Sequence, residues 1–227
     1  MVNMPSVTSQ STTSGTSSRR GRARSPRGEG ANLRADLLDA ATRLLSSTGN
    51  PESVSIRAVA KEAGVSATAA YRHFADRDDL MVAACEHLFE LFTALLLDAT
   101  DGVDDPFERL WLGGAAYIRY AEADGGLYRA LFSNPLHLDK DFTDETAAGT
   151  TAFTVLVGMV QDCLDAGAPA RGPGGGPADA SYLAFQVWSW MHGLVDLRIT
   201  HPSLPWPDSM QLLDDIRSTL GLVPPAG

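Results

Sequence analysis

Between Ile56 and Leu80 the chain carries the punctuation of two short helices set at an angle, and nothing else in it constrains the fold as tightly. Ser55 is a natural N-cap for a helix starting at Ile56, with Val54 and Val59 at the positions of a hydrophobic staple. Gly64 stands where a left-handed residue closes that helix. Ser66 then caps a second short helix, expected to run to about His73. Two short helices joined by a tight glycine-containing turn predict a helix-turn-helix.

Projected at 100° per residue, the second helix has two unlike sides. Ala67, Thr68, Tyr71 and Arg72 fall on one; Ala69, Ala70, His73 and Phe74 fall on the other. The second set suits packing, and Phe74 is expected in the core. The first set is small, hydroxyl-bearing, aromatic and cationic, which suits a helix lying in a major groove. Arg57 lies where a groove-edge arginine sits. Arg77, at the start of the next helix, is placed for a flanking phosphate. His73 is divided between packing and a phosphate.

Helical periodicity extends on both sides of this segment. Leu33, Leu37, Leu38, Ala41, Leu44 and Leu45 predict a helix over about 32–48, ended by Thr48-Gly49-Asn50-Pro51. Asp76 caps a longer helix whose apolar positions run from Leu80 to Leu97. Further helices are expected over about 105–123, 125–132, 143–166, 178–200 and 209–220, with a flexible loop over Gly167–Pro177. No convincing alternating strand occurs, so the fold class is all-α. The expected organisation is an arginine-rich disordered arm over 1–30, a helix-turn-helix domain over 31–78, a helical body over 79–222, and a tail over 223–227.

Charge supports the division. The whole chain carries 18 Lys and Arg against 28 Asp and Glu, a net −10 that argues against nucleic acid. Yet residues 1–80 hold 11 basic against 8 acidic side chains, whereas 81–227 hold 7 against 20. A polyanion would meet the first part.

Other classes find little support. No apolar stretch suggests a membrane span. Cys85 and Cys163 lack ligand or disulfide spacing. Arg19-Arg20 is followed by Gly28-Glu29-Gly30-Ala31-Asn32 rather than an apolar export segment, so the cytoplasm is expected. The five histidines have no paired metal spacing, and no nucleophile elbow, Walker loop or dinucleotide fingerprint occurs. Neither an enzyme, a metal site nor a cofactor is expected.

The string Ser55-Ile56-Arg57-Ala58-Val59-Ala60-Lys61-Glu62-Ala63-Gly64-Val65-Ser66, followed by Tyr71-Arg72-His73-Phe74-Ala75-Asp76-Arg77-Asp78-Asp79-Leu80, resembles the TetR (tetracycline-repressor-like) family of transcriptional regulators. The likeness covers about residues 31–80, and Trp188-Ser189-Trp190-Met191-His192-Gly193-Leu194 resembles a motif of one subgroup's C-terminal domains. The resemblance implies an Ω-shaped homodimer of about nine helices per subunit, with a three-helix DNA-binding head on a ligand-binding body. Carried over by position, Arg57, Ser66, Ala67, Thr68, Tyr71, Arg72, His73 and Arg77 are the candidates for DNA contact. Thr68-Ala69-Ala70 departs from the commonest pattern, so the operator cannot be borrowed from relatives.

In the body, Trp111, Tyr117, Tyr120, Phe132, Phe153, Met159, Trp188, Met191 and His192 are candidates to line a pocket for an apolar or aromatic effector, with His192 and Tyr120 as polar anchors. Helix 178–200 is apolar nearly all round and needs cover on two sides. With Leu213, Ile216 and Leu220 of the last helix it predicts a four-helix dimer interface. The expected function is a repressor that binds a palindromic operator as a homodimer and is released by effector. The rivals are a helical small-molecule-binding protein without specific DNA readout, and a DNA-binding protein without an effector.

Overall fold

The computed structural model describes residues 29–132 and 148–226, and these are helical without a strand. The helices are α1 (Glu29–Thr48), α2 (Ile56–Glu62), α3 (Ala67–Ala70), α4 (Arg77–Asp98), α5 (Pro106–Ala123), α6 (Gly125–Phe132), α7 (Ala148–Asp165), α8 (Ala180–Thr200) and α9 (Ser209–Thr219). Most of the arm expected over 1–30 lies outside the described residues, as do residues 143–147 of the seventh helix. The arm's last two positions already belong to α1, so the folded part begins at Glu29 rather than Ala31.

Local chemistry sets the head. Ser55 Oγ accepts from Ala58 N at 3.2 Å, and Val54 and Val59 are buried. After α2, Gly64 takes φ +70°; its N–H donates to Lys61 O, and Val65 N–H to Ala60 O. That pair is a Schellman closure, and it turns the chain sharply into α3. Ser66 Oγ caps α3 by accepting from Ala69 N at 3.2 Å. Regular α-helix ends at Ala70, three residues before the expected His73. Arg72 and His73 donate three residues back, to Ala69 O and Ala70 O, in the tightened last turn common at helix ends. Asp76 caps α4 by accepting from Asp79 N at 2.9 Å, while Asp79 accepts from Ala75 N at 2.9 Å.

Helix α4 runs from head to body. At 22 residues it is long and apolar enough to cross a bilayer, which the run-by-run reading of the sequence passed over. Leu80, Met81, Ala84, Cys85, Leu88, Phe92 and Leu96 are instead buried against other helices. The body is a bundle of α4 to α9, with α7 packed on α4, α5 and α8. Glycines permit the closest crossings: a Cβ on Gly113 would meet Met159 Sδ at 3.1 Å, and one on Gly114 would meet Leu213 Cδ1 at 2.9 Å. Leu213, expected at a dimer interface, is thus buried inside the protomer.

Head and body meet where α1 packs on α4 and α6. Asp124 Oδ1 accepts from Gly126 N and Leu127 N, capping α6, while its Oδ2 accepts from Ser46 Oγ of α1. A Cβ on Gly126 would lie 3.1 Å from Gly49 Cα and 3.2 Å from Leu45 O. Across the α1–α4 contact, His87 Nε2 lies 3.0 Å from Asp39 Oδ1.

Candidate functional site

The helix-turn-helix presents the side chains that the projection placed outward. Arg57, Ser66, Thr68, Tyr71 and Arg72 are exposed, and Tyr71 keeps 49% of its surface. Arg57 and Arg72 have no ion pair among the described residues, so both guanidiniums are free to meet an anion. Phe74 is 1% exposed, as expected of the packing side. Ala67 and His73 are half-buried at the edge. A segment so short offers few side chains to bases, and each of them stands on a backbone fixed at both ends by caps.

Arg77 does not stand free for a phosphate. Its Nε donates to Val54 O at 3.0 Å and its Nη2 to Pro51 O at 2.7 Å, with Glu52 and Asp78 carboxylates at 3.6 Å. The guanidinium braces the start of α4 against the loop before α2 and so fixes the angle at which α2 and α3 are held. Arg34 of α1 is an exposed cation that the sequence reading missed. Its Cζ lies 5.4 Å over the Phe74 ring, just beyond α3. The signal was available, since Arg34 precedes Leu38 by four residues and continues the buried stripe of α1.

In the body, six of the nine residues expected to line a pocket form one continuous aromatic cluster. Tyr117 and His192 have ring centroids 5.5 Å apart, Phe132 and His192 4.4 Å, and Trp188 and His192 4.9 Å. Phe153 joins through Trp188 at 5.6 Å, and Tyr120 through Phe92 at 5.2 Å. Phe92 and Tyr128 belong to the cluster and escaped the sequence reading, because each reads as ordinary core on its own helix. Three expected members lie elsewhere. Met159 fills the crossing at Gly113, Met191 is core, and Trp111 makes no ring contact with the cluster among the described residues.

The polar groups of the cluster are unevenly partnered. Tyr128 Oη and His192 Nδ1 share a hydrogen bond of 2.9 Å. The Tyr117 hydroxyl and His192 Nε2 are buried and have no hydrogen-bond partner among the described residues. Burial holds His192 neutral by lowering its pKa to about 4. It pushes Tyr128 up to about 12, and raises Tyr117 further, with Tyr128's nearby hydroxyl adding to the effect. Burial likewise raises Tyr120, helped by Asp124. At neutral pH the cluster is therefore uncharged, with buried polar atoms that cost about 1–3 kcal/mol each while unpaired. The Tyr117 ring, rather than that of the expected Tyr120, lies beside His192.

A capped helix-turn-helix with a cationic face, mounted on a helical body with an aromatic cluster, is the architecture of helix-turn-helix DNA-binding proteins. Residues 37–84 match the family described as bacterial regulatory proteins, tetR family, and residues 110–216 match the tetracyclin repressor-like C-terminal domain. The chain belongs to the TetR family, whose members pair DNA binding with a ligand-binding C-terminal domain. A structure of a protein with unknown function from Rhodococcus sp. RHA1 superposes with TM-score 0.68 at 26% identity, covering 91% of this chain and 97% of that one. The transcriptional regulator FadR from Bacillus subtilis, in complex with stearoyl-CoA, shares the fold with TM-score 0.62 at 14% identity, over 82% and 96% of the two chains. The nucleoid occlusion factor SlmA of Vibrio campbellii is 26% identical over 110 residues, which are 48% of this chain and 56% of that protein. The chain thus spans about half the length of the curated relatives it matches.

Proposed function

We propose that the protein is a cytoplasmic homodimeric repressor that sets α3 and its following turn in successive major grooves of a palindrome, and that a small apolar or aromatic effector releases it. Arg57 and Arg72 serve as the cationic contacts, with Ser66, Thr68 and Tyr71 between them. Ala67 approaches the groove floor, and His73 stands at the edge near a phosphate. The observation that carries the reading is the joint presence, in one protomer, of this unpaired cationic face and of an aromatic cluster with orphaned buried polar atoms. Those atoms have no partner among the described residues, and a polar group on a bound molecule would satisfy them.

The dimer forms through α8 and α9. Tyr182, Phe185 and Leu197 leave large apolar surfaces exposed on α8, while Leu183, Val187, Leu194 and Val195 are buried in the protomer. Leu213 drops out of that interface, and the less buried Ile216 and Leu220 remain in it. Because Tyr128 and Phe132 lie in the cluster and Gly126 lies on Gly49, α6 links the cluster to the end of α1 over eight residues. An effector that moves α6 moves α1, and binding of DNA and effector oppose each other reciprocally.

The effector is an uncharged molecule with a hydrogen-bond acceptor. Donation of the Tyr128 hydroxyl proton to Nδ1 leaves Nε2–H of neutral His192 as a donor, and Tyr117 supplies a second. A carbonyl oxygen accepts from both.

The decisive experiment is fluorescence anisotropy on duplex DNA from upstream of the gene, with a scrambled duplex as control. Tight binding to the first alone, weakened by ~1–3 kcal/mol in Arg57→Ala without loss of folding, supports the reading. Equal binding to both duplexes overturns specific readout and favours a ligand-binding protein.

A further inference from the structure

We infer that the effector site is shared between two subunits: the aromatic cluster of each protomer opens at Phe153 and Phe185 onto the face where a second copy docks, and the second copy closes it. The inference rests on the cluster as effector site and on assembly as a dimer, and it names what the second copy adds to the site.

The cluster has an inner and an outer end. At the inner end, the Tyr117 hydroxyl and His192 Nε2 are buried without a hydrogen-bond partner among the described residues. From His192 the rings continue to Trp188 at 4.9 Å, from Trp188 to Phe153 at 5.6 Å, and from Phe153 to Phe185 at 4.5 Å. Exposure rises along this path. Trp188 and Phe153 are half-buried, and Phe185 keeps 51% of its surface. An apolar ligand held on the inner polar atoms and laid along these rings leaves its outer end in water in a single protomer. Its affinity depends on removing that surface from water.

The outer end borders a face suited to another helix. At 100° per residue, Phe185, Ser189, Tyr182, Gly193 and Leu197 fall within about 120° of α8. All five are exposed, and three of them are large and apolar. His192 and Trp188 lie about 20° and 60° to the other side of Phe185, on the flank that meets Phe132 of α6 and Phe153 of α7. Gly193 weakens the middle of α8 without serving the protomer, because a Cβ there would meet nothing within 4 Å. With Ser189 one turn earlier it leaves a shallow seat between Tyr182 and Leu197, where a second helix can approach closely. Large side chains at both ends and small ones between are self-complementary, as a twofold crossing of α8 on its own copy requires. Members of the family function as dimers, which makes a second copy the occupant. Phe185 belongs to the face and to the cluster, so the copy seated on the face covers the mouth of the site, and by symmetry the cover is mutual.

The test uses prodan, an uncharged naphthyl ketone whose emission reports its surroundings, on the full chain. Gly193→Arg puts a charge into the seat at a position with no neighbour in the protomer; Tyr182→Arg does the same from the exposed end. Sedimentation velocity gives the mass of each protein, circular dichroism its fold, and a prodan titration its affinity. The wild type should bind as a dimer, and a folded monomeric variant should bind at least tenfold more weakly. By linkage, saturating prodan should also shift the wild type toward dimer at low protein concentration. A folded monomer that binds prodan as tightly as the wild type overturns the shared site and leaves the cluster as a site within one protomer. Folded variants that both remain dimeric overturn the assigned face, as does a wild-type dimer that prodan fails to strengthen. Prodan binding that is absent from the wild type, or unaltered in His192→Gln, refutes the cluster as a site for uncharged aromatic carbonyl compounds and the shared site with it.

Discussion

In the head, the residues proposed to meet DNA between Arg57 and Arg72 stand exposed, apart from half-buried Ala67, and are held by caps on helices of seven and four residues. In the body, Tyr117 and His192 sit 5.5 Å apart across 75 residues of sequence, and both are largely buried. One site is made by local backbone chemistry and displayed to solvent. The other is made by packing and closed away from it. A surface that reads a polyanion tolerates change without loss of fold, whereas a buried site shares its residues with the core. Substitutions in the two regions should therefore separate binding from stability in the first and entangle them in the second.

The sharpest contrast lies within the recognition segment. Phe74→Ala removes a side chain buried to 1% exposure, and should destabilise the protein by ~3–5 kcal/mol in a denaturant titration. Tyr71→Ala, three positions earlier, should change stability by less than about 0.5 kcal/mol, yet weaken operator binding in the anisotropy assay. A large stability loss from Tyr71→Ala would show that the head's outer face is core after all.

The body responds to pH through His192. Burial lowers its folded pKa to about 4, from an ordinary value of 6.5. Between those values the unfolded chain binds the proton and the folded chain does not, so stability rises with pH across that window. Acidification from pH 7 to 4 should cost up to about 3 kcal/mol at this residue, taking 1.36 kcal/mol per unit. Thermal unfolding of His192→Gln, compared with the wild type at pH 7 and 4, measures it. Equal pH dependence in the two proteins would mean that His192 is not buried as a neutral ring.

The joint between the regions gives a smaller effect. Gly126→Val places atoms against Gly49 Cα and Leu45 O, backbone that cannot swing aside, and should cost ~1–3 kcal/mol. If α6 couples the two sites, the same variant should change the amount of effector needed to release DNA more than it changes DNA affinity alone. Release that is unaltered in a folded Gly126→Val protein would remove α6 from the coupling.

What could be read from the sequence follows the same division. Ser55, Gly64, Ser66 and Asp76 act on backbone within five residues, so caps and turns appeared in the sequence nearly where the structure has them. The bracing contacts of Arg77 were not legible because its partners, Pro51 and Val54, lie over 20 residues back in a loop with no periodic signal. Phe92 and Tyr128 were passed over because an aromatic on an apolar stripe looks the same whether it meets a leucine or a histidine. Leu213 was assigned outward because the glycine that admits it, Gly114, lies on another helix.

The smallest expected change is the most diagnostic. Tyr117→Phe keeps the ring contacts with Phe92, Tyr128, Phe132 and His192, and deletes only a hydroxyl that has no hydrogen-bond partner within bonding distance among the described residues. In a core residue whose hydroxyl were hydrogen-bonded, this change would cost about 1 kcal/mol; deletion of an orphaned buried hydroxyl should instead leave stability unchanged or raise it by about that amount. The same variant should bind a carbonyl-bearing effector at least fivefold more weakly, since one of its two donors is gone. Differential scanning calorimetry of the free protein and effector-driven release of DNA read the two effects separately. A stabilised protein that still responds fully to effector would show that the hydroxyl is a packing defect. A stabilised protein with a blunted response would identify the hydroxyl as a cost carried by the free protein for the sake of the ligand.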